Sequence, residues 1–123
     1  MISAVGCGAK PEPVAAPSPD NADMESIVAA DQADREPDLT DIDWAQMAAR
    51  DAARRVVVRR LIDDDQLRTA RDFERAALVF QHGDASDDIL FAHVLAVTAL
   101  GLNNTSLGAK RLAAMTLDRY LTR

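Results

Sequence analysis

The strongest constraint on this chain is the spacing of its apolar residues. From Ala22 onward they recur at three- and four-residue intervals, and strand-like alternation never lasts more than a few residues. Val56-Val57-Val58 is the one β-branched run, and it is too short to overturn the helical pattern on either side. The fold class that follows is all-α: a compact antiparallel bundle of about five helices. Aromatic residues make up only 4% of the chain, so the core must be aliphatic and alanine-rich, which favours close-packed helices over sheets. A single core of about 80–100 residues buries roughly 60% of the surface its unfolded chain exposes, enough to fold without disulfides. The one cysteine could form no internal bridge in any case.

Start and stop signals place the elements. A first helix is expected over Ala22–Asp34, capped by Asn21, with Met24, Ile27 and Val28 on one face and Pro37 preventing continuation. Thr40-x-x-Asp43 resembles a capping box and opens a second helix over Ile42–Ile62. Its core face is Trp44, Met47, Ala48, Val58, Leu61 and Ile62, and the acidic run Asp63-Asp64-Asp65, unfavourable at a helix C-terminus, marks its end. Thr69-x-x-Asp72 repeats the start signal for a third helix that runs through His82, with Gly83 in the left-handed position beyond it. Ser86 begins a fourth, which carries Ile89, Ala92, His93, Ala96, Val97 and Leu100 inward and stops at Gly101. After a turn at Asn103-Asn104-Thr105-Ser106, the fifth helix holds Leu112, Ala113, Met115, Leu117, Tyr120 and Leu121. Connections of about four to six residues make consecutive helices antiparallel neighbours. The ends of helices three and five and the start of helix four then share one pole.

Residues 1–20 read as a disordered Pro/Ala-rich arm and residues 21–123 as the helical domain. Four of the five prolines fall within residues 8–20, with no helical period. The acidity is uneven: residues 1–41 hold nine acids against two bases, whereas residues 42–123 hold eleven against twelve. Residues 42–123 are therefore close to neutral, and neither stretch is built for a phosphate backbone, so no nucleic-acid partner is expected. Arg50, Arg54, Arg55, Arg59 and Arg60 spread around their helix without an aromatic platform, and a solvated face accounts better for Arg59 and Arg60. Ala4-Val5-Gly6-Cys7 followed by the Pro/Ala spacer resembles the lipobox and tether of bacterial lipoproteins. That makes Cys7 the candidate lipidation site and an extracytoplasmic, lipid-anchored location one expectation; a free thiol in a cytoplasmic protein is the alternative. Only six residues precede Cys7, fewer than a leader needs, so the anchored reading expects a start upstream of Met1. No other segment approaches the ~20 apolar residues of a membrane span, so membrane contact is expected only through that anchor.

Polar residues at the end of the third apolar stripe need partners. Phe73, Ala77, Phe80 and Gln81 share one side of a helical period, and His82 continues the neighbouring column through Leu78 and Val79. Elsewhere stand Asp31-Gln32-x-x-Arg35, Asp51-x-x-Arg54 and Asp118-Arg119. In this order the four boxes resemble an uncharacterised bacterial helical domain family marked by DQxxR, QH(A/G)D and DR boxes. The resemblance covers about residues 22–123. A Gly-Trp-Pro found between the second and third boxes of that family is replaced by Leu67-Arg68-Thr69, and the sequence ends at Arg123 before any GTQ-like tail. Those departures imply a fragment or a diverged member. The resemblance implies a helical bacterial domain and supplies no reaction.

Two readings of these residues compete. In one, Asp31, Gln32, Arg35, Asp51, Arg54 and Gln81 line a ligand pocket, with His82, Asp118 and Arg119 as catalytic residues of a small hydrolase-like or ligand-processing enzyme: the histidine a general base, the arginine a clamp for an anion. In the other they are interhelical hydrogen bonds and ion pairs inside a non-enzymatic binding or interaction domain for a small molecule or protein. The second is preferred, because no nucleophile–base pattern accompanies the cluster and buried polar groups must be paired whatever the function. A metal would need His82 and His93 with Asp84, Asp87 or Asp88, yet no HExxH or cysteine pair is present, so neither metal nor cofactor is expected.

Overall fold

The computed structural model describes Gly6, Gly8, Pro11, Pro13 and residues 16–123; Cys7 and most of the arm lie outside the described residues. Among the described residues there are five helices and no strand: α1 (Ala22–Ala33), α2 (Trp44–Asp63), α3 (Ala70–Phe80), α4 (Ser86–Leu102) and α5 (Leu107–Leu121). The fold class is all-α. No helix among these residues is long and apolar enough to cross a membrane.

Helix α3 is the centre of the bundle, packing against each of the other four, and α4 is held between α3 and α5. The core is aliphatic and small: Ala76, Ala77, Val79 and Phe80 of α3 meet Ala92, Leu95 and Ala96 of α4, with Met24, Val58, Leu67 and Leu112 closing the cluster. Alanine on both sides of the α3–α4 contact lets the two backbones approach closely. α1 runs parallel to α3, since the Asn21 amide donates to Asp72 Oδ1 at one end (2.8 Å) and Asp31 meets His82 at the other (3.2 Å). α1 touches α2 only lightly, largely through charged side chains. Its connection to α2 spans residues 34–43, longer than the four to six expected.

The helix starts follow the capping chemistry. Asn21 caps α1 by accepting from the Met24 amide (3.0 Å), and Ser106 caps α5 by accepting from Ala109 (3.1 Å). Thr69 and Asp72 form a complete capping box at α3. At α2 the signal is displaced: Asp43, not Thr40, is the cap, accepting from Gln46 (3.0 Å), while Thr40 is folded into a turn with Asp38. α2 ends in a Schellman arrangement, in which Asp65 N–H reaches Ile62 O (3.0 Å) and Gln66 N–H reaches Leu61 O (2.8 Å). Asp65 takes the left-handed position there with φ 55°.

Several expectations are corrected. α3 stops at Phe80 with Gln81 as its cap, so His82 sits in the following turn. Gly83 does not have positive φ; it is glycine because a Cβ there would lie 2.5 Å from the Asp88 Cβ. Ser86 is the first residue of α4, as expected; the cap position before it is Ala85, which makes no side-chain bond. α4 continues through Gly101 to Leu102. Of the expected inward residues, Trp44 (57% exposed), Val97 (48%), Leu117 (42%) and Leu121 (70%) point outward, as do Met115 and Tyr120 in part, while Leu95 and Ala99 are buried instead. α4 is apolar almost all round, so its pattern does not single out a face, and its flanking helices decide which residues are covered. α5 is an outer helix covered chiefly by α4, and it buries only the narrow stripe Ala109, Leu112 and Thr116.

Candidate functional site

The polar residues do converge. At the pole where α1 and α3 end, Asp31 is completely buried and Asp51 is 5% exposed. Helical spacing puts Arg35 one turn beyond Asp31, and its guanidinium bridges the two carboxylates. Arg35 Nη1 donates to Asp31 Oδ1 (3.0 Å), and Nη1 and Nη2 donate to Asp51 Oδ1 (3.3 Å) and Oδ2 (2.7 Å). This is the two-pronged geometry that arginine is shaped for. Arg54, three residues after Asp51, donates to Asp51 Oδ1 (3.0 Å), stands 3.8 Å from Asp31 Oδ1 and pairs with Asp34. Arg50 donates to the same Asp34 carboxylate (2.9 Å). Asp31, Asp34 and Arg35 on the α1 side thus interlock with Arg50, Asp51 and Arg54 on α2, which explains how two helices with little apolar contact hold their relation.

The second oxygen of Asp31 serves α3. Asp31 Oδ2 accepts from Gln32 Nε2 (2.7 Å) and from His82 Nε2 (3.2 Å). His82 Nδ1 lies 3.0 Å from the Gln81 amide, which can present its nitrogen to a neutral ring or its oxygen to a protonated one. Arg119 of α5 completes the chain by donating to the Gln81 backbone carbonyl (2.5 Å). Burial pushes the Asp31 carboxyl up, but hydrogen bonds from His82 and Gln32 and the charges of His82 and Arg35 outweigh it, holding the group below the ordinary carboxylate range. Asp34 is likewise held down by hydrogen bonds from Arg54 and Arg50.

Of the sequence-predicted site residues, Asp31, Gln32, Arg35, Asp51, Arg54, Gln81, His82 and Arg119 therefore belong to one connected network. Asp118 does not: its side chain is exposed and has no hydrogen-bond or ion-pair partner among the described residues, because it lies on the outer side of α5 while Arg119 turns inward. His82 and Asp118 do not form a dyad. Asp34 joins the network although sequence reasoning passed over it; the i,i+4 pair Arg50 and Arg54 was the available signal for a shared carboxylate partner. Beside the network opens a cleft of about 380 Å³, walled by Trp44, Met47 and Ala48 on α2 and by Gln81, His82 and Arg119 opposite. Trp44, expected in the core, is part of this wall.

Against known protein families, curated proteins and solved structures, the chain finds no match.

The remaining candidates sit elsewhere. His93 is turned to α5, with Nδ1 2.8 Å from the Ala113 carbonyl and 3.3 Å from Thr116 Oγ1, so it is a hydrogen-bonded core histidine. Among the described residues no three His, Cys, Asp or Glu side chains converge as metal ligands. The α2 arginines diverge: Arg55 approaches Asp88 on α4 (3.5 Å), and the Arg59 guanidinium lies 3.9 Å from the Phe91 ring centroid.

Proposed function

We propose that this chain is a small non-enzymatic binding or interaction domain, related to the helical family with the DQxxR, QH(A/G)D and DR boxes, in which the polar network is architectural. One observation carries the reading: both oxygens of the fully buried Asp31 are already occupied, by Arg35 on one side and by Gln32 and His82 on the other. A general base needs a free lone pair aimed at a substrate, and an acid–base histidine needs a free ring nitrogen. Here His82 spends one nitrogen on Asp31 and faces Gln81 with the other. The exposed, unpaired position of Asp118 gives no support to a hydrolase-like site on His82, Asp118 and Arg119. What the network does explain is assembly, because its Arg35–Asp51, Arg50–Asp34, His82–Asp31 and Arg119–Gln81 contacts tie one helix end to another.

His82→Ala tests this. Removing the ring leaves part of a buried carboxylate without its donor, and the expected loss is about 1–3 kcal/mol in equilibrium unfolding by urea. A variant that folds normally and melts within about a degree or two of the parent would show less than a kcal/mol of contribution. That result would overturn the architectural role and favour a reactive site.

A further inference from the structure

We propose that the cleft between α1, α3 and α5 binds a small amphipathic carboxylate, one anionic head on an apolar body. The proposal rests on the non-catalytic binding reading and gives it a ligand class and a site that meets the polar network's own cleft only at Gln81. The cleft encloses about 370 Å³, within the range of small-molecule sites. Its apolar wall is Val28 of α1, Leu78 of α3, and Leu112 and Met115 of α5. Around that wall stand Arg71, Arg75 and Arg111. The register makes this arrangement: Arg71, Arg75 and Leu78 follow at i, i+4 and i+7 along α3, and Gly108, Arg111 and Met115 at i, i+3 and i+7 along α5, each set on one face of its helix. Arg71 and Arg75 on α3 therefore face Arg111 on α5 across an apolar bottom.

The charge of the cleft is not neutralised from within. Among the described residues Glu74 is the one carboxylate lining it, and its Oε2 accepts from the Ser106 hydroxyl (2.7 Å), which also caps α5. Gly108 keeps that arrangement open, since a Cβ there would collide with the Glu74 carboxylate. Arg75 reaches Asp20 at 3.4 Å, but Arg71 and Arg111 have no hydrogen-bond or ion-pair partner among the described residues. A cationic mouth on a chain of net charge −6 selects against polyanions, which the rest of the molecule repels. It suits a single carboxylate whose hydrocarbon part can cover Leu78, Leu112 and Met115.

Isothermal titration at low ionic strength, with decanoate, decanol and acetate as probes, tests both halves of the ligand. Decanoate is expected to saturate one site, with decanol and acetate each at least about tenfold weaker, because charge-assisted hydrogen bonds and apolar burial each supply that much. The double variant Arg71→Ala/Arg111→Ala should weaken decanoate about tenfold or more without moving the melting temperature, since both side chains are exposed. Glu74→Gln should tighten it. Acetyl-Ala-Leu with a free or an amidated C-terminus separates the two sources of such a head: binding that needs the free carboxylate and exceeds that of decanoate assigns the cleft to peptide C-termini, and the reverse order assigns it to alkyl carboxylates. Equal affinity for decanol and decanoate, indifference to the arginine pair, or no binding of either carboxylate would overturn the proposal. His82→Ala separates it from the reading beneath: lowered stability with unchanged decanoate affinity supports both. Unchanged stability with retained arginine dependence removes the architectural reading alone and leaves the cleft standing.

Discussion

Gly83 illustrates how one small residue sets the geometry of the pole. Its φ is not positive, so backbone freedom is not what selects glycine there. Space is: a Cβ would come within 2.5 Å of both the Cβ and Oδ2 of Asp88, and the nearer end of that side chain has nowhere to swing. The same Asp88 carboxylate is approached by Arg55 Nε at 3.5 Å, so pushing it aside also disturbs the α2–α4 contact. Gly83→Ala should therefore cost about 1–3 kcal/mol in a urea titration, the usual penalty for overpacking. Gly101→Ala is the matched comparison, because nothing lies within 4 Å of its added methyl. It should be neutral or stabilise by up to about 1 kcal/mol through helix propensity. If both substitutions behave alike, the close approach of Asp88 is not what Gly83 is for.

Among the helices, the contact that most repays attention is between the starts of α1 and α3. Asp72 is 1% exposed and receives three backbone amides: Asn21 (2.8 Å), Arg68 (3.0 Å) and Thr69 (3.2 Å). It is at once the acidic half of the α3 capping box and the latch that parks the first residue before α1 on the bundle. Asp72→Ala strands these donors, and the expected loss is about 3 kcal/mol by denaturant unfolding, more than a simple cap is worth. A loss of only about 1 kcal/mol would reduce Asp72 to a cap. Capping of this kind is what made the elements legible in sequence: Asn21, Thr69 with Asp72, and Ser106 are local signals acting within one turn. The polar network was legible too, since i,i+3 and i,i+4 acid–base pairs mark a helix face. What could not be read was which way a uniformly apolar helix turns. α4 carries no Asp, Glu, Lys or Arg between Ile89 and Leu102, so the placing of Leu95 in the core and Val97 outside depends on its neighbours and not on its own pattern. Asp118 and Arg119 are adjacent in sequence and therefore about 100° apart around α5, so the two could not both face His82.

At the scale of the whole molecule, the carboxylates make stability depend on acid. Asp31, Asp34 and Asp72 all have folded pKa values below the ordinary 3.8. For Asp72, burial pushes the group up, but the amides of Arg68, Asn21 and Thr69 and the side chain of Thr69 more than reverse it. In the unfolded chain these groups return to ordinary values, so below about pH 4 the unfolded state binds more protons than the folded one. By linkage, stability then rises with pH through that window and falls as pH drops through it. Above about pH 5 all three are ionised in both states and add no slope. Unfolding followed by circular dichroism should thus show the contribution of these three groups undiminished from pH 7 to about 5 and lost steeply between about pH 4 and 2. Acid release should begin at the two fully buried latches, Asp31 joining α1 to the end of α3 and Asp72 joining α1 to its start, so α1 should detach before the α3–α4–α5 core opens. Asp31→Asn/Asp72→Asn should be less stable at pH 7 and have a shallower acid slope than the parent, because groups that no longer titrate cannot drive the transition. An unchanged slope in that double variant would place the titrating groups elsewhere in the molecule.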